Sequence, residues 1–310
     1  MNLDNNEIFG SKNAVVISYL AKLLLSLEVG DKLETVEEIS KKLNVGRGTI
    51  QTAMTRLKNN NVIKTVSRGY QGTFITYINF NKLLSLAGVH SIVGVMPLPY
   101  SKRYEGLASG IYYTLMKLEN VRINLAFMQG SFNRLNALLD GRYDLMVASK
   151  QTAIKYINEN YPISIAATLG EESYISNHIL IVNDKFDGNT NEMKLGVDLS
   201  SDDQVFMTMN YFENQNVQII PCKSSNVVEA ILKGEIDGAI GSSGNINVDF
   251  PNLKTINLTN PSETSDNTRA TIVIKKDNKV MKTILQKYLN IDKIQTIQKE
   301  VILGNRKPVY

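Results

Sequence analysis

One stretch of this chain occurs twice in outline, and that repetition limits the possible folds more than any other feature. The segment Ala137-Leu138-Leu139-Asp140-Gly141-Arg142-Tyr143-Asp144-Leu145-Met146-Val147-Ala148-Ser149 is echoed by Ala230-Ile231-Leu232-Lys233-Gly234-Glu235-Ile236-Asp237-Gly238-Ala239-Ile240-Gly241-Ser242. In each copy a helix ends in Ala-apolar-Leu, and a glycine supplies the left-handed C-cap. An apolar residue and an Asp follow, then a buried strand that runs out to a small residue and a serine. Ligands in open α/β sheets collect at such strand ends. Two copies predict two similar lobes with a cleft between them.

The surrounding pattern agrees with an α/β fold. Residues 92–96 are a continuous apolar run, typical of a strand buried on both faces. A loop through Pro97, Pro99 and Ser101 leads to a helix over 105–118. A strand over 122–128, Gly130-Ser131 and a helix over 132–139 follow. Alternation continues to about Ile240, which predicts an open sheet of βαβ units. A strand over 268–274 and a helix over 280–289 then return the chain to the first lobe. The second lobe is therefore expected at about 190–268, ending in an Asn/Ser/Thr-rich loop over 257–267.

A different pattern fills residues 33–78. Thr35 stands three residues before Glu38, the spacing of a capping box, and Ile39 and Leu43 share a helical face. Asn44-Val45-Gly46 supplies turn chemistry. Ile50, Ala53, Met54 and Leu57 then give a second helix an apolar stripe, with Arg47, Thr49, Gln51, Thr52 and Arg56 opposite. Two helices joined by a tight turn suit a DNA major groove. Strands over 62–66 and 73–78 flank a basic loop, Ser67-Arg68-Gly69-Tyr70-Gln71-Gly72, which is the wing of a winged helix. From Ile39 to Phe80 the charged residues are Lys41, Lys42, Arg47, Arg56, Lys58, Lys64 and Arg68, with no Asp or Glu. The whole chain is only +4, so this is a local basic surface suited to phosphates. A first helix is expected over 13–27, with Val16, Leu20, Leu23, Leu24 and Leu27 on its apolar face.

The run Gly30-Asp31-Lys32-Leu33, then Glu38-Ile39, Val45-Gly46-Arg47-Gly48-Thr49-Ile50 and Gly69 to Gly72-Thr73-Phe74-Ile75, resembles the DNA-binding domain of GntR-type bacterial transcription regulators. That resemblance implies DNA contact at Arg47 and Thr49 and a wing tip at Gly69 to Gly72. Glu37 stands where many members carry a DNA-contacting Arg, and Gly48 replaces a common Thr, so the operator does not carry over. The duplicated segment resembles the type II periplasmic-binding-protein fold, which also serves as an effector domain in cytosolic regulators. Pro97-Leu98-Pro99-Tyr100-Ser101, Tyr104 to Gly110, Ser201-Asp202-Asp203-Gln204 and the terminal Gly304 to Tyr310 resemble the YhfZ family of GntR-like regulators.

The rest of the chain narrows the function. A single cysteine, Cys222, forms no internal disulfide and pairs with no second thiol around zinc, which suits a reducing cytosol. The opening residues lack a secretory signal, and residues 14–27 are too short and too interrupted by Ser18, Lys22 and Ser26 to span a bilayer. No P-loop and no cofactor motif occurs, and neither His90 nor His178 has a neighbouring nucleophile or metal cluster in sequence. The paired acids Glu171-Glu172 and Asp202-Asp203 are expected to cap helices or face solvent.

Polar groups just beyond the strands are the candidate cleft residues: Ser101, Ser131, Ser149, Lys150, Ser201, Asp203, Ser224, Ser225, Ser242 and Ser243. Serine hydroxyls and helix-start N–H groups suit a carboxylate or phosphate, with Lys150 adding a cation. The expected protein is a cytoplasmic regulator with a winged helix over 1–80 and a two-lobed effector domain over 81–310. It is a homodimer that binds double-stranded DNA and a small anionic metabolite, without cofactor or membrane. Arg47, Thr49 and Gln51 read bases, Thr52 and Gly69 flank them, and Arg56, Lys58, Lys64 and Arg68 meet phosphates. The competing reading is a small-molecule enzyme or solute-binding protein with a winged helix that does not bind DNA. Turnover of a ligand together with salt-independent DNA affinity distinguishes it.

Overall fold

The computed structural model describes residues 12–242, 251–258 and 265–310, and the chain divides into two compact units. The first comprises Met1–Ile92 and Leu118–Arg122. In it α1 (Lys12–Leu25) lies against α3 and α4, with Val16, Leu20 and Leu24 buried. Helix α2 (Val36–Leu43) begins in the expected capping box: Thr35 N–H donates to Glu38 Oε2 at 2.7 Å, and Glu38 N–H donates to Thr35 Oγ1 at 3.2 Å. Asn44 ends it in the left-handed region, at φ 51°. Helix α3 (Arg47–Asn59) buries Ile50, Ala53 and Leu57. Strands β1 (Ile63–Ser67) and β2 (Thr73–Ile78) pair antiparallel, and the chain around Lys32 adds a short third edge through Leu33 N–H to Thr73 O. The tight turn between β1 and β2 uses positive φ at Gly69 and Gly72, 58° and 104°. Helix α4 (Phe80–Leu86), capped by Asn79, closes the unit.

The second unit, Val93–Lys117 and Ile123–Tyr310, contains two sheets. The chain runs β3 (Ser91–Met96), α5 (Lys102–Leu115), β4 (Arg122–Phe127), α6 (Ser131–Leu139), β5 (Leu145–Ser149), α7 (Lys150–Asn158) and β6 (Ile163–Thr168). It then crosses to β7 (His178–Asn183), β8 (Lys194–Val197), α8 (Asp202–Tyr211), β9 (Gln218–Pro221), α9 (Val227–Leu232), β10 (Gly238–Ser242) and β11 (Leu253–Asn257). After α10 (Ser265–Thr268) it returns through β12 (Ala270–Lys275) and ends in α11 (Lys279–Tyr288) and α12 (Ile291–Ile302). Helix α5 starts three residues earlier than the sequence pattern indicates, because Ser101 caps it by accepting from the Tyr104 N–H at 3.4 Å.

The sheets have orders β4-β3-β5-β12-β6 and β9-β8-β10-β7-β11, the same arrangement in two lobes. Both are mixed. In the first, β12 is antiparallel to β5 and β6; in the second, β7 is antiparallel to β10 and β11. The plain succession of βαβ units expected from sequence is thus completed in each lobe by a strand borrowed across the crossover. Strand β12 belongs to the first lobe although it follows β11 in sequence.

The duplicated segment sits at equivalent places. Gly141 and Gly234 adopt positive φ, 78° and 73°, after α6 and α9. Asp144 accepts from the Val93 N–H at 2.8 Å, and Asp237 accepts from the Lys194 N–H at 2.7 Å. Each Asp therefore holds the first residues of the neighbouring parallel strand, which explains its place in the repeat. Val95, Leu138, Met146 and Val273 form the first-lobe core. In the second lobe β7 alternates, Ile179 and Ile181 packing toward α9 and Leu180 and Val182 toward Met207 and Phe212.

Candidate functional site

The outer face of the first unit is basic because α3 turns its apolar stripe inward. Arg47, Gln51, Thr52, Arg56 and Lys58 are exposed on α3, Lys64 on β1, and Arg68 and Gly69 at the turn, while Thr49 is half-buried. Two contacts tune this face. Glu37 Oε1 lies 3.1 Å from Arg47 Nη2 and 3.3 Å from Lys41 Nζ, so the base-reading candidate has an intramolecular acid beside it. The Arg68 guanidinium stacks 4.8 Å from the Phe74 ring centroid, which steadies the start of the turn. Beyond it Tyr70 projects with 99% of its surface exposed.

The second unit contains a cavity of about 480 Å³ between its lobes, a size ordinary for small-molecule sites. The first lobe contributes Pro97, Tyr100, Tyr104, Gln129, Ser131 and Arg134. The second contributes His178, Asp198, Ser201, Gln204, Ser224 and Ser242. Tyr174, on the crossover, packs edge-to-face against Tyr104 at 5.4 Å. Arg134 is 97% enclosed, being 3% exposed, and all of its nitrogens are engaged. Nε donates to Val147 O at 3.1 Å, Nη1 to Met128 O at 2.9 Å and Nη2 to the Tyr174 hydroxyl at 3.2 Å. Burial pushes the Tyr174 phenol up to about 12, and burial takes the His178 imidazole down to about 4, leaving it neutral at pH 7.

Three carboxylates of the second lobe are held around this cavity. Asp203 accepts from the Ser149 hydroxyl at 2.5 Å and the Thr152 hydroxyl at 2.9 Å; burial raises its pKa against those bonds. Asp202 accepts from Ser131 at 2.9 Å, from the Tyr156 hydroxyl and from the Lys155 ammonium. Burial opposes its ionisation, but Lys155, Tyr156 and Ser131 together hold its pKa below the ordinary value. Asp198 accepts at Oδ1 from Ser200 N–H and Oγ, and at Oδ2 from Ser224 N–H and Oγ and from Gln129 Nε2 at 2.9 Å. Burial opposes this carboxylate too, and the Ser200 and Ser224 bonds win, so it stays ionised.

The sequence candidates divide accordingly. Ser131, Ser201, Asp203, Ser224, Ser225 and Ser242 line the cavity. Ser101 caps α5, Lys150 pairs with Asp266 at 3.0 Å, and Ser149 is fully enclosed, capping α7 and donating to Asp203; none of the three is on the cavity wall. Ser243 lies outside the described residues. The pair Asp202-Asp203, expected to cap or face solvent, instead bridges the lobes. Sequence reading missed Asp198, Arg134, His178, Gln204 and the tyrosines. Asp198 directly follows the end of β8 and was detectable by the same strand-end rule that found the serines. Arg134 and Tyr174 carry no such local signal. Among the described residues no group of three or more His, Cys, Asp or Glu is placed to hold a metal, and no helix is long and apolar enough to cross a membrane.

Comparison with known proteins matches both halves of this architecture. The profile of the YhfZ C-terminal domain matches residues 79–310, and that of a helix-turn-helix domain matches residues 28–75. The Escherichia coli (strain K12) protein YhfZ is 28% identical over 303 residues, 97% of this chain and 99% of that one. The crystal structure of YhfZ from Shigella flexneri superimposes with a TM-score of 0.63 at 29% identity, covering 74% of this chain and 97% of that one. The ligand-binding component of an ABC-type import system from Staphylococcus aureus, solved with zinc bound, superimposes with a TM-score of 0.50 at 13% identity, covering 71% and 80%. That last likeness is one of fold. The two-sheet unit resembles the periplasmic-binding-protein fold in architecture, and its site must be read on its own residues.

Proposed function

The chain belongs to the YhfZ family, and from that premise we propose that it is a cytoplasmic, homodimeric DNA-binding transcription regulator of GntR type. In this reading α3 and the wing grip duplex DNA, and the cleft of the second unit takes a small metabolite. The observation that carries it is the union in one chain of a winged helix with an acid-free outer face on α3 and wing and a cavity between two lobes. Arg47, Thr49 and Gln51 read base edges, while Arg56, Lys58, Lys64 and Arg68 neutralise phosphates. The metabolite acts by binding more tightly to one of the two DNA-affinity states than to the other.

Catalysis draws little support from the same cavity. The His178 Nε2 has no hydrogen-bond partner among the described residues, so none of their hydroxyls is paired with that nitrogen as a base. The serines that pointed to an anionic metabolite are also otherwise engaged: Ser131, Ser149 and Ser224 donate to the protein's own carboxylates.

The test is fluorescence anisotropy with the protein's own promoter region at several salt concentrations. The expected result is binding whose logarithm falls linearly with the logarithm of salt. Affinity no greater than that of a neutral control protein at low ionic strength ends the proposal.

A further inference from the structure

The cavity wall carries an imbalance of charge. Among the described residues its acids and bases are Arg134, His178, Asp198 and Asp203. Arg134 has given its nitrogens to two carbonyls and a phenol, and its positive charge lies near Asp203, whose ionisation it favours. His178 is neutral. Asp198 is 4% exposed, and each of its five hydrogen-bond donors is an uncharged amide or hydroxyl; no cation pairs with it among the described residues. Neutral donors hold a carboxylate in its ionised form without cancelling its charge, and a buried carboxylate is screened less than one in bulk water.

We infer that the cleft selects a small organic cation, an alkylammonium or guanidinium compound whose charged group sits between Asp198 and the tyrosines of the first lobe. This rests on the cleft being the effector site. The tyrosines strengthen it from the other side. Tyr104 and Tyr174 are stacked edge to face at 5.4 Å on the wall, and Tyr100 lies close enough to Asp198 for that charge to raise its pKa after burial has done so. Ring faces attract cations and repel anions. An anionic ligand would meet Asp198 with no uncommitted guanidinium or ammonium among the described residues of the wall to offset it. Gln129 adds a consequence for motion: its amide reaches from the first lobe to Asp198 at 2.9 Å, so a cation that engages this carboxylate acts where the lobes already meet.

The test uses the full chain and two readouts. In the first, thermal unfolding is followed with butane-1,4-diamine or choline, and with succinate or inorganic phosphate at equal ionic strength. The amines are expected to raise the midpoint and the anions to leave it unchanged, with Asp198→Asn weakening the amine effect by about tenfold or more in half-saturating concentration. Because Asp198→Asn sets a side-chain amide against the donors of Ser224 and Gln129, and that variant can fail to fold, the second readout uses the unaltered protein. Cys222, the chain's single thiol, follows β9 and bonds through its N–H to Val197 O, beside Asp198. Its reaction rate with a trimethylammonium-bearing methanethiosulfonate, relative to the sulfonate-bearing reagent, is expected to exceed that of free cysteine by about tenfold. Stabilisation by succinate or phosphate and not by the amines overturns the inference, as does a rate ratio at or below that of free cysteine. Promoter binding without added amine is measured in parallel: its loss removes the regulator reading and leaves the charge preference of the cleft standing.

Discussion

Ser149 and Asp203 meet across the cleft, the serine hydroxyl donating to Asp203 Oδ1 at 2.5 Å and so tying the end of β5 to the first turn of α8. The serine that closes the repeated segment in the first lobe is thus met by an acid of the second lobe. Replacing Asp203 by Ala strands the hydroxyls of Ser149 and Thr152 and is expected to cost about 1–3 kcal/mol. Asp203→Asn keeps an acceptor and removes a buried charge, so it is expected to stay within about 1 kcal/mol of the parent or exceed it. Urea denaturation at neutral pH distinguishes the two.

Acid should act on the second unit through opposed groups. His178, with a folded pKa of about 4, is neutral in the folded chain while the unfolded chain takes up a proton near pH 6.5. Stability therefore falls as pH drops from about 6.5 to about 4, by an amount on the order of 3 kcal/mol for a shift of this size. Asp203 works the other way. Its raised pKa means that the folded state gains a proton first, so stability is gained as pH falls through that raised value. Asp198 and Asp202, with lowered values, contribute fully above the ordinary carboxylate range and lose their contribution as pH falls through their folded values. Denaturation of His178→Gln across this range should lack the loss between about 6.5 and 4. Asp203→Asn should lose ground to the parent as pH falls.

In the proposed DNA complex Glu37 competes with DNA for Arg47. Their 3.1 Å pair is exposed and of modest strength, so Glu37→Gln is expected to tighten promoter binding by about two- to fivefold. Arg47→Ala should cost about 1–3 kcal/mol on the promoter when the guanidinium grips a base edge in two places. Equal losses on promoter and random DNA assign Arg47 to the backbone. Anisotropy titrations with both duplexes give the answer.

Gly110 lets α12 approach α5. A Cβ there would stand 2.8 Å from the Ile294 carbonyl oxygen and 2.9 Å from its Cα, both backbone atoms. Gly110→Ala gains about 1 kcal/mol of helix propensity, but the overpacking is expected to outweigh it, for a net loss of about 1–2 kcal/mol. A thermal midpoint equal to or above that of the parent would contradict the close approach.

What could be read in the sequence was what neighbouring residues encode. Thr35 and Glu38, Asn44, the stripe of α3 and the turn glycines each act within a few positions, and the structure places them as their spacing indicated. The repeat was legible for the same reason, since Gly141 and Asp144 serve one local purpose that Gly234 and Asp237 serve again. The cavity was harder, because its wall joins residues from Pro97 to Ser242 through two crossovers. Serine-rich strand ends suggested an anionic ligand, but the Ser149 and Ser131 hydroxyls donate instead to Asp203 and Asp202, two partners with no sequence proximity to them. Arg134 resembles an ordinary surface cation on a helix until the fold encloses it.

The position of β12 has a consequence for the order in which the protein is made. All strands of the winged helix have left the ribosome by Ile78, whereas the first-lobe sheet receives the strand between β5 and β6 only when Ala270–Lys275 emerges. Domains generally begin folding during synthesis, amino end first. A nascent chain therefore presents its proposed DNA-binding surface well before the unit proposed to govern it is whole.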